Sequence, residues 1–197
     1  MRNYSAEITH DARLLVTFPS MNYQVRRATL VDREAITRLI AESARRLSRE
    51  HYADAQIEGA IASVFGVDST LIEDGTYFVA EQHGSLIGCG GWSKRKTLFG
   101  GDQFSSRDTG MIDPATDPAK IRAFFVHPDH ARKGVARAIL TVCETEAKAH
   151  GFAALELLST LPGVKFYQAN GYSAVGDFDL ELAGGVKLEF VPMRKQL

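Results

Sequence analysis

The stretch that most limits what this chain can fold into lies between residues 121 and 149. It opens with an apolar segment, IRAFFV, which ends at His127 because a residue before proline avoids the helical region. From about Gly134, apolar residues recur on one helical face up to Ala149. A buried strand, a loop and an amphipathic helix in this order predict the α/β class, in which helices cover a sheet.

The predicted helix carries its charges at an unusual end. Arg132, Lys133 and Arg137 surround its start, and no carboxylate follows Asp129 to offset them. A helix N-terminus already has partial positive charge, so cations there are unfavourable unless an anion is present. Glycine lets the backbone come close to a ligand, and amides of the first turn are free to bind phosphate. Gly134 therefore indicates a phosphate site, and a solvated basic loop is the alternative.

The sequence matches neither of two other phosphate-binding motifs. The sequence contains no G-x-x-x-x-G-K-[ST]. The glycines of GCGGWS, residues 88–93, do not form G-x-G-x-x-G, and they lie inside a predicted hairpin rather than before a helix. Residues 131–137 therefore remain the candidate anion site.

The remaining patterns predict a mixed α/β single domain. The predicted elements are a strand at 23–28, helices at 30–48 and 54–65, a hairpin at 76–95, a long loop at 96–119, a strand at 153–158, a short helix from Pro162 to Asn170, and a closing hairpin at 172–193. A loop of that length in a compact domain is usually functional or mobile.

Composition excludes several classes of protein. The chain has 197 residues, 45% of them hydrophobic and 24% charged, as expected for one globular domain. The net charge of −1 argues against a surface for nucleic acid or anionic membranes. No apolar run reaches the length of a membrane span. Nothing in the sequence indicates a secreted disulfide framework, so Cys89 and Cys143 are predicted to be reduced and buried in a cytoplasmic protein, and a disulfide between them is the alternative.

The first twenty residues form a separate question. They contain a short apolar run, LLVTF, preceded by Asp11 and Arg13, which makes a poor signal peptide. Residues 1–20 are either an extension that bears an extra strand, or an artefact of the start site, with the natural start at Met21. Residues 21–197 would then form the domain.

Two segments together resemble a known family. IRAFFVHPDHARKGVARAIL resembles motif A of the GNAT superfamily of N-acetyltransferases, with Ala131–Ala136 at its pyrophosphate loop and Ala131 in place of Gln or Arg. KFYQANGY, residues 165–172, resembles the family's F-Y-x-x-x-G-[FY] segment. The resemblance implies a single domain with a mixed central sheet, splayed central strands and flanking helices. It also implies acetyl-CoA as cosubstrate.

The resemblance further implies roles for individual residues. The backbone of Phe124, Phe125 and Val126 would meet the pantetheine arm and the thioester, while the side chains of both phenylalanines are expected in the core. The cofactor's phosphates would be bound by Ala131, Arg132, Lys133, Gly134, Val135, Ala136 and Arg137. Tyr167 matches the general acid, and a packed aromatic is the alternative for it.

The general base stays open. In the histone-acetylating branch of the family a glutamate near the start of the central strand deprotonates the amine, and Lys120 occupies the matching position here. Other candidates are His127, Glu81, Asp113, Asp117 and a chain of waters, and an acceptor amine of low pKa is a further alternative. His127 and His130 have a metal-like spacing without a third ligand, so no metal is predicted.

The leading hypothesis is an acetyl-CoA-dependent N-acetyltransferase acting on the primary amine of a small or amino-acid-like metabolite. Acceptor recognition is assigned to the region of His51 and Tyr52 and to the long loop before Ile121. A non-catalytic acyl-CoA-binding regulatory module is one alternative, and a protein N-terminal or lysine acetyltransferase is another. No nucleic-acid or membrane partner is predicted, and a homodimer is kept open.

Overall fold

A computed structural model describes residues 15–17 and 22–197. Within them, nine strands form one sheet with helices on both faces, so the predicted α/β class is confirmed. The strands are β1 (Leu15–Thr17), β2 (Gln24–Arg27), β3 (Tyr77–Gln82), β4 (Ser85–Ser93), β5 (Ala119–Val126), β6 (Ala154–Thr160), β7 (Ser173–Ala174), β8 (Phe178–Glu181) and β9 (Lys187–Gln196). The helices are α1 (Arg33–Leu47), α2 (Asp54–Ser63), α3 (Ser69–Glu73), α4 (Val135–Ala149) and α5 (Val164–Ala169).

The sheet is antiparallel except at its centre. The strand order is β1-β2-β3-β4-β5-β6-β9-β7, and β8 pairs with β9. β5 and β6 are parallel, but they pair only at Ala119↔Leu155 and Lys120↔Glu156. Beyond these residues the two strands separate, which confirms the predicted splayed central strands. A gap therefore opens in the middle of the sheet toward the end of β5.

Helix α4 covers one face of the sheet. Its apolar stripe, which includes Ile139, Leu140 and Cys143, is fully buried against β3, β4 and β5. The 3.6-residue spacing of that stripe puts these side chains on one side of the helix. Helix α5 lies on the same side and adds Tyr167 to this core. The start of α4 is thereby fixed beside the end of β5.

The opposite face is covered by α1, α2 and α3. Ile36, Leu39 and Ile40 of α1 are buried with α3 against the first strands. Helix α2 packs instead on the hairpin of β8 and β9, where Leu188 and Phe190 are buried. The two faces of the central gap are thus bordered by different helices, α4 and α5 on one side and α1 and α2 on the other.

Some details differ from the prediction. Helix α3 was not predicted because its five residues are too few to show a helical period. Of the predicted N-terminal extension, residues 15–17 pair with β2, and the rest lies outside the described residues. No helix in the described residues is both long and apolar enough to cross a membrane.

Candidate functional site

The backbone at the end of β5 faces the gap. The His127 N–H donates to the Ile87 carbonyl of β4 at 2.9 Å, and Phe125 pairs with Cys89. Peptide groups alternate in direction along a strand, so those of Phe124 and Val126 point away from β4. No strand in the described residues pairs with them on that side. They can therefore bind an extended ligand that enters between β5 and β6.

A β-bulge precedes these residues. Cys89 of β4 pairs with Phe125 of β5, and the next pair along the ladder is Gly91 with Arg122. β5 therefore contains one residue more than β4 over this interval, and Ala123 has a φ of +54°. Bulges of this kind change the direction of the strand and are frequent beside active sites.

The predicted anion loop has the backbone of an anion-binding nest. Arg132 and Gly134 both have positive φ, +62° and +84°, and Gly134 is the N-cap of α4. Among the described residues, the amides of 132–137 form no hydrogen bond to another group. Successive free amides around left-handed residues form a concave donor surface for phosphate. The start of α4 adds its partial positive charge to that surface.

The three cations of this loop have no acidic partner in the part of the chain that the structure describes. Arg132, Lys133 and Arg137 are exposed and pair with no carboxylate there. Asp129, the nearest carboxylate in sequence, is bound instead by Arg46 of α1 at 2.9 Å. The loop therefore presents uncompensated positive charge around free amides, which is the charge pattern predicted from the sequence.

The glycines of β4 allow other groups to approach. A Cβ on Gly88 would lie 2.5 Å from the Val135 side chain, at the first residue of α4. A Cβ on Gly90 would lie 2.7 Å from the ring of Phe124. Both distances are shorter than a carbon–carbon contact allows. These glycines therefore let the start of α4 and the ring of Phe124 pack closely on the sheet.

Tyr167 stands on the α4 side of the gap. Its side chain is 8% exposed, and its ring lies 6.4 Å from that of Phe124 and 5.5 Å from that of Tyr172, centroid to centroid. Its hydroxyl forms no hydrogen bond to another described residue, yet its oxygen is not sealed from solvent. Burial, with the nearby Cys143 thiol, raises the pKa of this phenol above its ordinary value. The hydroxyl is therefore a proton donor at neutral pH.

The predicted site residues fall into two groups. Phe124 joins Tyr167 on the α4 face, whereas Phe125 points to the other face and contacts Phe65 at 5.6 Å. Both phenylalanine side chains are half-buried within the core clusters. The second group is the anion loop at the start of α4, comprising Ala131, Arg132, Lys133, Gly134, Val135, Ala136 and Arg137.

The candidate bases have structural partners. Lys120 is buried, and its ammonium group contacts the carboxylate of Glu156 on β6, at the closed end of the gap. Glu81 binds Arg26 at 2.8 Å. Asp113 and Asp117 accept backbone hydrogen bonds within their own turn.

The candidate histidines lie at the surface beside α1. The Nε2 of His127 lies 3.4 Å from Glu42, and its ring contacts that of His130. In the residues that the structure covers, no three His, Cys, Asp or Glu side chains form a group suited to a metal.

Tyr52, which the sequence analysis assigned to acceptor recognition, uses its hydroxyl to link β9 to the segment that follows β6. Its hydroxyl donates to the Glu189 carbonyl at 2.6 Å and accepts from the Leu161 amide at 2.8 Å. Only 4% of its surface is exposed, and its hydroxyl is engaged within the fold as both donor and acceptor. Neighbouring His51 is exposed.

A cluster of buried charged side chains was not predicted from the sequence. Asp68 is fully buried, caps α3, and pairs with Arg107 and Arg122 at 2.6 Å each. Arg122 directly precedes the bulge at Ala123, and it also donates to the Gly100 carbonyl at 2.6 Å. The three residues are far apart in sequence, so no spacing pattern predicts the cluster. The only available signal was the run of charges in the long loop.

A groove of about 940 Å³ lies on the face opposite α4. α1, α2 and the start of the long loop line it, including Thr37, Phe65 and Asp102. Phe65 also touches Phe125, so the groove adjoins the end of β5.

Comparison with known proteins shows what the chain resembles. The sequence model of the "Acetyltransferase (GNAT) family" matches residues 34–172. No curated protein sequence matches the chain significantly.

Solved structures of similar fold share little sequence with the chain. One is a GCN5-related N-acetyltransferase from Rhodopseudomonas palustris, 18% identical, with a TM-score of 0.67, covering 92% of this chain and 99% of that one. Another is the PaiA N-acetyltransferase of Thermoplasma acidophilum in complex with coenzyme A, 16% identical, with a TM-score of 0.61 and coverages of 90% and 100%. A third is YncA of Salmonella typhimurium with acetyl-CoA, 17% identical, with a TM-score of 0.59 and coverages of 90% and 95%.

Proposed function

The chain belongs to the acetyltransferase (GNAT) family, and from that premise we propose that it transfers the acetyl group of acetyl-CoA to a primary amine of a small or amino-acid-like metabolite. The main observation behind the proposal is that three groups suited to acetyl-CoA lie in sequence between the start of α4 and the gap in the sheet. The anion loop, the backbone groups of Phe124 and Val126, and Tyr167 follow one another from the start of α4 into the gap.

The anion loop is suited to the pyrophosphate of CoA. The amides of residues 132–137 supply donors, and the left-handed Gly134 keeps them on one concave side. Arg132, Lys133 and Arg137 supply charge that lacks a partner in the described part of the chain. Gly134 and Ala136, which are small, leave room for the ligand to approach this backbone.

The gap is suited to the pantetheine arm and the acetyl group. Pantetheine contains amides, and the peptide groups of Phe124 and Val126 offer both donors and acceptors to them. An N–H aimed at the thioester oxygen would stabilise the negative charge that develops there during transfer. Phe124 and Tyr167 form an apolar wall on one side, which limits access of water to the thioester.

Tyr167 is proposed as the general acid. Acetyl-CoA supplies an activated acetyl thioester, and the amine displaces its sulfur to give an amide and CoA thiol. The raised pKa of the Tyr167 hydroxyl keeps it protonated, and it has no hydrogen-bond partner in the described residues. It is therefore free to donate to the sulfur as negative charge develops there, which makes the sulfur the stronger base. The tyrosine regains a proton from solvent, to which its oxygen is accessible.

Charge and shape support a small acceptor. The net charge of −1 provides no field that would favour a strongly basic protein tail. The groove that adjoins Phe125 supports entry of the acceptor from the face opposite Tyr167. The amine must also lose a proton, and the carboxylates of Glu81, Asp113 and Asp117 are engaged by other groups of the fold.

One observation favours a second function. Lys120 occupies the closed end of the gap and binds Glu156, so that position offers no free carboxylate. A regulatory module that binds acyl-CoA without turnover would need no base there.

One experiment separates the two. Release of free thiol is followed across a library of primary amines, including amino acids, polyamines and peptides with free N-termini, while CoA binding is titrated by calorimetry. The enzyme is expected to bind CoA and release thiol with a subset of small amines. Binding without amine-dependent release would favour the regulatory module, and release with peptides alone would favour a protein acetyltransferase.

A further inference from the structure

The bulge at Ala123 is held by side chains of neighbouring strands. The hydroxyl of Tyr77 on β3 donates to the Ala123 carbonyl at 3.2 Å. The thiol of Cys89 on β4 lies 3.8 Å from the same oxygen. Ala123 has a left-handed φ of +54°, which residues with a Cβ rarely adopt without support from their surroundings.

The bulge decides which backbone groups face the gap. Because peptide groups alternate along a strand, removing one residue from the pairing would turn the groups of Phe124 and Val126 toward β4. The groups of Phe125 would then face the gap instead. The ring of Phe124 would also leave its place over Gly90, where a Cβ has no room. The conformation of Ala123 is therefore coupled to the geometry of the ligand path.

We propose that Tyr77 is a positioning residue for acyl transfer: its hydroxyl holds Ala123 in the left-handed conformation, which aims the peptide groups of Phe124 and Val126 at the thioester. The inference rests on the proposed function. Tyr77 itself lies on β3, separated from β5 by β4, and acts through the Ala123 carbonyl.

The surroundings make the tyrosine hydroxyl the main support. Tyr77 is fully buried, and burial raises the pKa of its phenol well above the ordinary value, so it remains a donor. Burial also raises the pKa of Cys89 to about 12, so its thiol stays protonated, but an S–H group is a weak donor. Arg122 is held separately by Asp68 and Gly100, which fixes the backbone before the bulge.

The test combines a variant that lacks the hydroxyl, a matched control variant and a rescue variant. Tyr77→Phe removes the hydroxyl and keeps the ring. Thr76→Val is the control, because it removes the neighbouring buried hydroxyl, which donates to the Leu71 carbonyl at 3.4 Å and does not touch Ala123. Ala123→Gly supplies a residue that adopts positive φ without support.

We expect Tyr77→Phe to lower the kcat of acetyl transfer about five- to tenfold, the effect of one ordinary hydrogen bond. The kcat of Thr76→Val should stay within about twofold of wild type. The Kd for CoA should rise by a smaller factor than the fall in kcat of Tyr77→Phe, because the pantetheine arm of CoA meets the same peptide groups but CoA carries no thioester. Tyr77→Phe combined with Ala123→Gly should recover most of the lost kcat. Equal losses in Tyr77→Phe and Thr76→Val, or no recovery with Ala123→Gly, would overturn the proposal.

A second measurement needs no activity. The H^N–Hα scalar coupling of Ala123 depends on φ and is measured by NMR on the protein without ligand. It should change in Tyr77→Phe and not in Thr76→Val. An unchanged coupling would refute the support by Tyr77. Absence of CoA binding and of acetyl transfer in the wild type would instead refute the proposed function, and the coupling would still decide about Tyr77.

Discussion

Replacement of Tyr167 by phenylalanine gives a sharp test of the proposed chemistry. The tyrosine hydroxyl has no hydrogen-bond partner among the described residues, so its removal leaves no donor or acceptor of the fold unsatisfied. The ring contacts with Phe124 and Tyr172 remain. The free energy of unfolding should therefore change by less than about 0.5 kcal/mol. For a domain of this size, that corresponds to a shift in Tm of at most about 2 °C.

The catalytic effect should be much larger. A positioned acid contributes by donating in the transition state, so Tyr167→Phe should lower kcat about 10- to 1000-fold while the Kd for acetyl-CoA stays nearly constant. The raised pKa of Tyr167 keeps the phenol protonated to pH 10. The wild-type kcat should therefore show no fall between pH 8 and pH 10 that the phenylalanine variant lacks.

The assay is steady-state thiol release, with acetyl-CoA affinity measured by calorimetry and Tm by calorimetric scanning. The loss should be smaller with an acyl donor whose thiol is more acidic, because that leaving group needs less protonation. Unchanged turnover would remove Tyr167 from the mechanism and leave it a core aromatic. A matched loss of acetyl-CoA affinity would mean that the hydroxyl mainly holds the ligand.

Three further predictions concern the anion loop and the buried charges. Gly134→Asp should abolish CoA binding in calorimetry, because it places a strained, negatively charged residue against phosphate, and Arg132→Ala should weaken binding less and flatten its salt dependence; wild-type affinity in Gly134→Asp would refute the anion site. Asp68→Asn leaves the buried Arg122 without a counter-charge, whereas Arg107 keeps Asp102 at 3.2 Å; it should cost about 3–5 kcal/mol, seen as a drop in Tm of roughly 6–20 °C, and a drop below about 2 °C would contradict that reasoning. Glu156→Gln should lower the free energy of unfolding in urea by about 1–3 kcal/mol, and adding Lys120→Met should restore part of it, whereas strictly additive losses would show that the two residues do not interact.

Features with a local signature were predictable. The strand end and the helix start on either side of the anion loop could be predicted, because Pro128 and Gly134 mark them. The cations between and just after these residues are what motivates the prediction of an anion site, which stays a prediction. Helix α4 was predictable from its apolar period. The splay of β5 from β6 came from the family resemblance, since the apolar run IRAFFV alone is equally typical of a fully paired strand.

Features that depend on contacts between residues far apart in sequence were not predictable. The bulge at Ala123 carries no glycine or other turn residue, and its left-handed backbone depends on Tyr77, 46 residues away. The pairing of Asp68 with Arg122 joins α3 to β5 through the tertiary fold. Tyr52 shows that distant contacts can also make a local pattern misleading. An aromatic residue beside charged residues suggested a ligand contact, whereas its hydroxyl forms hydrogen bonds within the fold.

The two-residue ladder between β5 and β6 divides the sheet into halves that are each continuous in the chain. The strands β1 to β5 precede α4, the strands β6 to β9 follow it, and the chain passes between the halves once. Few backbone hydrogen bonds join them, so their attachment depends on side-chain packing and on whatever occupies the gap. A pantetheine arm bonded to β5 would act as a partial tenth strand, and its affinity would then include the work of holding the halves in register. The affinity for the ligand and the resistance of the two halves to separation would then both contain the same coupling free energy.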